Sequence, residues 1–261
     1  SGLTKTFTTT NLNSTTADYV FGSLSINNTN AATGGKGGDT LEEIRQNTLS
    51  NIAAQRRSVT PNDYLIRALS MPSDYGSISK AYIEKPKLTD EQISTIETLS
   101  LYVLSQNSSG QLDYAGKTLK QNLRTYLSQY RMIGDSVEIR DAYIINIGIE
   151  FEIIVLPNFN NNRVLSLCID SLKNYFSTDK WQLNQPIFLR DLYVRLDRIE
   201  GVQTVKNVKL LNKSNTLLGY SQYSYDIDGA TQNQVIYPSL DPSIFEVRYP
   251  NEDIKGKVVP L

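Results

Sequence analysis

The sequence predicts an α+β fold, in which antiparallel or mixed sheets are covered by helices as in one or two ferredoxin-like sandwiches, with β-rich additions at both ends. Three observations predict this class. Apolar and polar residues alternate over residues 143–155, which is typical of a strand with one buried face. Segments of helical periodicity precede and follow that strand. Further apolar runs at 78–83, 99–104 and 202–210 read as strands, so strands and helices alternate along the chain.

The N-terminal part begins with residues 1–38, which are rich in Thr, Asn, Ser and Gly and predict strands and loops. A glycine- and lysine-rich run at 34–38 predicts a turn or hinge. Thr40 and Glu43 have the spacing of a capping box, so a first helix is predicted from there to about Arg56.

A second helix is predicted directly after the first. Thr60 can cap it, Pro61 suits its first position, and Asp63 is favoured near the positive end of the helix dipole. Pro72 would stop it. Three further helices are predicted from apolar residues that share one face, at about 115–130, 164–176 and 192–200.

Residues 213–261 return to strand and turn signals and include a tyrosine cluster and an expected closing strand at 245–249. The predicted organisation is a β and loop segment at 1–38, a helical pair with a first α+β unit at 39–140, a second α+β unit at 141–212, and a β-rich tail at 213–261. The tail is expected to pack with residues 1–38.

The amino-acid composition limits the kinds of binding and catalysis that the chain can support. The 26 basic and 27 acidic residues nearly cancel, so no field of one sign is expected to attract nucleic acid or a membrane surface. Histidine is absent, which excludes Ser-His and Cys-His catalysis and most zinc sites. The one cysteine, Cys168, lies in an apolar stretch and is expected to be a buried hydrophobe. We therefore expect no metal, no cofactor and no enzymatic activity.

Two motifs resemble ligand-binding or catalytic sites. Lys36 within the glycine run resembles a phosphate-binding loop, but the required Gly-Lys-Ser/Thr ending is missing, which favours a linker. Glu150 and Glu152 lie on the wet face of the long strand, about 7 Å apart, a separation that a glycosidase pair can have. Their polar neighbours favour a solvated face instead.

A basic cluster and several aromatic residues can each be interpreted in two ways, as part of the structure or as a binding site. Arg45, Arg56 and Arg57 fit a helix end better than a phosphate site. Trp181 and the tyrosines of the tail can stack on sugars or bases, or can lie in a core or a protein interface. The interface candidates are Tyr220, Tyr223, Tyr225 and Trp181. A carbohydrate-binding or adhesin module is therefore the alternative function.

The chain contains, in this order, Gly34-Gly35, Asp39 with Glu42 and Arg45, the segment at 55–64 and the step at 199–202. Together these segments resemble the baseplate J-like family of contractile tails. That family has a Gly-Gly-Asp loop, a helix with Glu and Arg, a segment close to R-R-A-V-T-x-x-D-Y and an I-x-G-V step. The sequence Q-R-R-S-V-T-P-N-D-Y at 55–64 matches the third, with Ser58 in place of a small apolar residue, and I-E-G-V at 199–202 matches the last. The matched residues are Gly34, Gly35, Asp39, Glu42, Arg45, Arg57, Thr60, Asp63, Tyr64, Gly201 and Val202.

The resemblance covers roughly residues 34–212, and it implies a virion structural protein without catalytic residues to transfer. It implies homodimeric contacts between copies, a ring around the tail hub, and binding to other wedge and hub proteins. It also implies a place in the tail baseplate, assembled in the cytoplasm of the bacterial host, and a chain that is the C-terminal part of a longer subunit.

Overall fold

Mixed sheets with helices packed against them form the structure, so the predicted α+β class is confirmed. The structure, a computed structural model, describes Leu41, Arg45 and residues 57–84, 98–107, 109–132 and 134–260. Its helices are α1 (Pro61–Leu69), α2 (Lys117–Ser128), α3 (Asn161–Tyr175), α4 (Leu189–Asp197) and α5 (Pro250–Asp253). Its strands are β1 (Lys80–Glu84), β2 (Thr98–Gln106), β3 (Leu112–Tyr114), β4 (Ser136–Asp141), β5 (Tyr143–Val155), β6 (Ile187–Phe188), β7 (Val202–Asn212), β8 (Thr231–Gln232), β9 (Val235–Ile236), β10 (Ser243–Glu246) and β11 (Ile254–Val258).

The first sheet is organised around β2. Strand β1 pairs antiparallel with residues 100–104 of β2, and β4 pairs parallel with residues 98–103. Because these ranges overlap, β1 and β4 lie on opposite edges of β2. The short β3 pairs antiparallel with the end of β2. Helices α1 and α2 cover one face, where Tyr64, Ala68, Leu123 and Leu127 are buried with Leu101 and Val103 of β2.

The second sheet is organised around β5. Strand β7 pairs antiparallel with residues 147–155 of β5, β10 pairs parallel with its first four residues, and β11 pairs parallel with residues 149–153. The alternating pattern favoured an antiparallel sheet, but the sheet is mixed because two strands of the C-terminal tail return in the direction of β5. A third, small sheet has the order β6-β9-β8.

The alternation in β5 predicted that the side chains at residues 146, 148, 150 and 152 face solvent. This prediction was wrong for the first two of these residues. Glu150 is exposed and Glu152 is half-buried, but Asn146 and Gly148 are buried. The tail covers them. The backbone N–H of Lys213 donates to the carbonyl oxygen of Asn146, and the N–H of Ser221 donates to its side-chain oxygen.

The four predicted helices that fall within the described ranges are confirmed, with ends shifted by a few residues. The helix predicted at 115–130 is α2, and the helix predicted to reach residue 200 ends at Asp197. The expected closing strand at 245–249 is β10, which ends at Glu246. Strand β11 was not predicted, because its sequence Ile-Lys-Gly-Lys-Val contains residues of low β propensity.

The two larger sheets share one core. Tyr102 and Leu104 of β2 and Leu112 of β3 belong to the same buried cluster as the apolar residues of β5, α3 and α4.

The domain boundaries predicted above remain a prediction. The expected strands at 1–38 and most of the expected helix at 40–56 lie outside the described residues. Leu41 and Arg45 are helical, and Leu41 is 70% exposed.

Candidate interaction surfaces

The motif residues near Thr60 form the start of α1. The Thr60 side chain accepts a hydrogen bond from the Asp63 N–H, and the Asp63 carboxylate accepts one from the Thr60 N–H, which makes a capping box. Burial acts to raise the pKa of Asp63, but the N–H groups of Thr60 and Val59 outweigh it and leave that pKa below its usual value. These two motif residues therefore stabilise a helix end.

Tyr64 is completely buried between α1 and the first sheet. Its hydroxyl donates to Asp135 Oδ2 at 2.7 Å, and burial together with that carboxylate raises its pKa. Gly34, Gly35, Asp39 and Glu42 of the motif lie outside the described residues. Arg45 and Arg57 are exposed, and Arg56 is outside the description, so no basic phosphate site can be described there.

Ser58 lies in an environment that suits an apolar side chain. It is fully buried, its backbone N–H donates to the Tyr130 carbonyl at 2.8 Å, and it forms an isolated parallel bridge with Arg131. Its Oγ has no hydrogen-bond partner among the described residues. Because a buried hydroxyl without a partner is unfavourable, an apolar side chain suits this site.

Gly201 and Val202 connect α4 to β7. Gly201 has a φ of +97°, and a Cβ there would lie 2.7 Å from Val164 Cγ2 and 2.8 Å from Phe159 Cδ1. Its carbonyl accepts a hydrogen bond from the Leu156 N–H, and Val202 is buried. The Gly-Val step is therefore a tight turn packed against the N-terminal end of α3.

Trp181 is a core residue, one of the two roles considered for it. It is 2% exposed, its ring stacks on Phe176, and its Nε1–H donates to the Tyr175 carbonyl. A buried ring cannot stack on a sugar, so the carbohydrate-binding alternative loses one of its candidates.

The three tail tyrosines are half-buried and each contacts an aromatic residue of this chain. Edge-to-face contacts join Tyr220 with Tyr249, Tyr223 with Tyr143 and Tyr225 with Phe245. The Tyr220 hydroxyl also donates to Asp253. These contacts attach the tail to the second sheet. Their role in an interface with another chain stays a prediction.

A buried polar cluster, which sequence reasoning missed, connects the two larger sheets. Glu246 of β10 accepts hydrogen bonds from the Leu112 N–H at 2.6 Å and from Asn146 Nδ2 at 2.8 Å. Arg248 lies 3.4 Å from Glu246 and donates to the Leu112 carbonyl. Burial raises the pKa of Glu246. The available signal was Asn146, a polar residue in an otherwise apolar strand segment.

Glu150 and Glu152 stand on an open sheet face among lysines. Glu150 lies opposite Lys209 of β7 and Lys255 of β11, and Glu152 lies opposite Lys257. An acid and base pair for hydrolysis needs an enclosed or apolar site, which this face lacks. The arrangement is typical of a solvated ladder of alternating charge.

Neither metal binding nor thiol chemistry has support in the described ranges. No group of three or more Cys, Asp or Glu residues there could hold a metal ion. Cys168 is fully buried in α3, and burial raises its pKa to about 11, which leaves it unreactive. None of the helices in the described part is long and apolar enough to cross a bilayer.

Two surface features present apolar side chains. Leu217 and Leu218 are 94% and 64% exposed, on a short 3-10 turn that the Asn215 side chain caps. A groove of about 530 Å³ runs between α2 and β4, and its apolar side chains are Leu127, Val137 and Ile139. These two features are the candidates for contacts with other proteins.

No protein-family model and no curated protein matches the sequence. Among solved structures, one similar chain belongs to the cryo-EM structure of the anti-feeding prophage baseplate, 6-fold symmetrised. The TM-score is 0.45 at 12% identity, over 85% of this chain and 42% of that chain. Similarity at this level does not by itself carry an argument about function.

Proposed function

We propose that this chain is a structural component of a contractile-tail baseplate, which acts by binding copies of itself and other baseplate proteins. The observation that carries the proposal is the segment at 57–64 together with the step at 199–202, in the order of the baseplate J-like family. Thr60 and Asp63 cap a helix, Tyr64 fills the core, and Gly201 permits a tight turn. Residues with these roles specify a scaffold.

In finer terms, we infer the C-terminal portion of the large wedge subunit of a T-even-type phage baseplate. Such a subunit would form homodimers, take part in a ring around the hub, and bind other wedge and hub proteins. Its place would be the virion tail, after assembly in the bacterial cytoplasm. This reading is supported by the same sequence segments and by the ordered apolar surfaces at Leu217, Leu218 and the groove between α2 and β4.

Self-association is the most direct test. Size-exclusion chromatography with light scattering should give a mass above the 29.3 kDa of one chain, rising with concentration. A stable interface of this kind buries on the order of 1,200–2,000 Å². A chain that stays monomeric at about 100 µM and binds no other baseplate protein would contradict the proposal.

The exposed leucine pair gives a test of binding to other baseplate proteins. Leu217→Ser together with Leu218→Ser should weaken capture of a wedge or hub protein, because two apolar side chains would no longer be removed from water. Leu240→Ser is the matched control, since Leu240 is also fully exposed and lies in a different loop. Equal losses in both variants would speak against a specific role of the leucine pair.

A further inference from the structure

Strand β4 has a free edge. It pairs with β2 along one edge, and in the described ranges no strand lies against the other. A free edge presents backbone N–H and C=O groups that another strand can pair with. The groove between α2 and β4 lies beside this edge, so the unpaired backbone and the half-buried apolar side chains of Val137 and Ile139 occur together.

The charges along β4 complement those of a second copy. In an antiparallel pair about a two-fold axis through Ile139, residue 138 of one copy lies opposite residue 140 of the other. Glu138 then faces Arg140 of the second copy, and the same contact occurs twice. If the axis moved to residue 138 or to residue 140, two glutamates or two arginines would face each other. Of these three registers, only the axis at Ile139 places Glu138 and Arg140 of the two copies opposite each other.

The two charged side chains are available for this exchange. Glu138 and Arg140 form an ion pair at 2.6 Å within the chain, and their side chains are 46% and 50% exposed. Exposed ion pairs of this kind contribute little stability, so exchanging the partner costs little. Val137 and Ile139 point to the other face and pack with Leu127 against the first core cluster. In this register Ile139 lies opposite Ile139 of the second copy, and Val137 lies opposite its Asp141.

We propose that two copies of this chain associate through antiparallel pairing of their β4 strands about a two-fold axis at Ile139, which joins their first sheets into one. This proposal rests on the proposed function and deepens it by naming the homodimer surface. The grooves of both copies lie on the same face of the joined sheet and meet near the axis, which increases the apolar area removed from water.

Charge reversal separates this interface from other modes of self-association. Glu138→Lys alone, or Arg140→Glu alone, places like charges opposite each other twice, and each should raise the dimer dissociation constant about tenfold or more. An equimolar mixture of the two variants should dimerise again, because each variant complements the other. Asp170→Lys, on the exposed Asp170–Lys173 pair of α3, is the control and should dimerise like the wild type.

A cysteine at the axis gives a second readout. Residues directly opposite in an antiparallel pair have Cα atoms about 4.5–5.5 Å apart, which suits a disulfide. Ile139→Cys should therefore form a covalent dimer on mild oxidation, and Asp170→Cys should not. The native Cys168 does not compete because it is buried and its pKa is raised to about 11.

The outcomes distinguish the two levels of the proposal. A wild-type chain that dimerises, with both reversed variants dimerising equally well, would overturn the β4 interface and leave the baseplate function standing. A wild-type chain that is monomeric throughout would remove self-association itself. Dimers that the single reversals weaken and the mixture restores would support the interface.

Discussion

Gly201 gives the sharpest prediction of stability. Replacing it by alanine forces a residue with a side chain to a φ of +97°. The new Cβ would also lie 2.7 Å from Val164 Cγ2 and 2.8 Å from Phe159 Cδ1, whereas carbon atoms in favourable contact are about 3.5–4.0 Å apart. Backbone strain of this kind costs about 1–3 kcal/mol, and overpacking costs a similar amount.

The two costs do not add in full, because Phe159 is 37% exposed and can move, whereas Val164 is buried. We expect Gly201→Ala to lower the free energy of unfolding by about 2–4 kcal/mol. For a chain of this size, that corresponds to a fall in Tm of about 4–16 °C. Urea denaturation followed by fluorescence of the single tryptophan, Trp181, measures it, since that ring is buried against Phe176.

Gly134→Ala is the matched control, because a Cβ at Gly134 would have no heavy atom of the described residues within 4 Å. In a Val164→Ala background, the cost of Gly201→Ala should shrink by about 1 kcal/mol, since the closest contact is removed and the backbone strain remains. A loss below about 0.5 kcal/mol in Gly201→Ala, or equal losses at both glycines, would refute the reasoning.

Three further predictions concern the segment at 58–64. Ser58→Ala should raise the free energy of unfolding by about 1 kcal/mol, because it removes a buried hydroxyl without a described partner; a loss in urea denaturation would contradict this. Tyr64→Phe should lower that free energy by about 1–2 kcal/mol through loss of the bond to Asp135, and unchanged stability would show that the bond contributes nothing. Asp63→Asn should cost about 0.5–1 kcal/mol at pH 7. The pKa of Asp63 is lowered in the folded state, so its contribution to stability is present above the unfolded pKa and is lost as pH falls through the folded pKa. The difference in unfolding free energy between Asp63→Asn and wild type should therefore shrink in acid. A difference that stays constant with pH would disprove the assignment.

Local signals predicted much of the scaffold. The alternation of 143–155 coincided with β5, and Thr60, Pro61 and Asp63 predicted the start of α1 as it is observed. Both depend on interactions between residues close in sequence, which periodicity and capping patterns report directly. The same holds for the turn at Gly201, where a helix pattern stops.

The partners of β5 could not be predicted in the same way. Alternation reports that one face is buried, but it says nothing of strand direction, and β10 and β11 pair with β5 from about 100 residues further along the chain. The burial of Asn146 follows from the same long-range contacts, since Glu246 and Ser221 supply its hydrogen bonds. Polar residues in a strand predict solvent exposure unless a distant segment covers them.

The sequence by itself determined the helices, the long strands and the absence of histidine chemistry, because these depend on composition and on neighbours three or four residues apart. Only the tertiary structure decided that Trp181 lies in the core, that the tail tyrosines pack on the second sheet, and that one edge of β4 pairs with no other described strand. These features arise when segments far apart in sequence compete for the same buried surface and the same backbone partners, and no local pattern records the result of that competition.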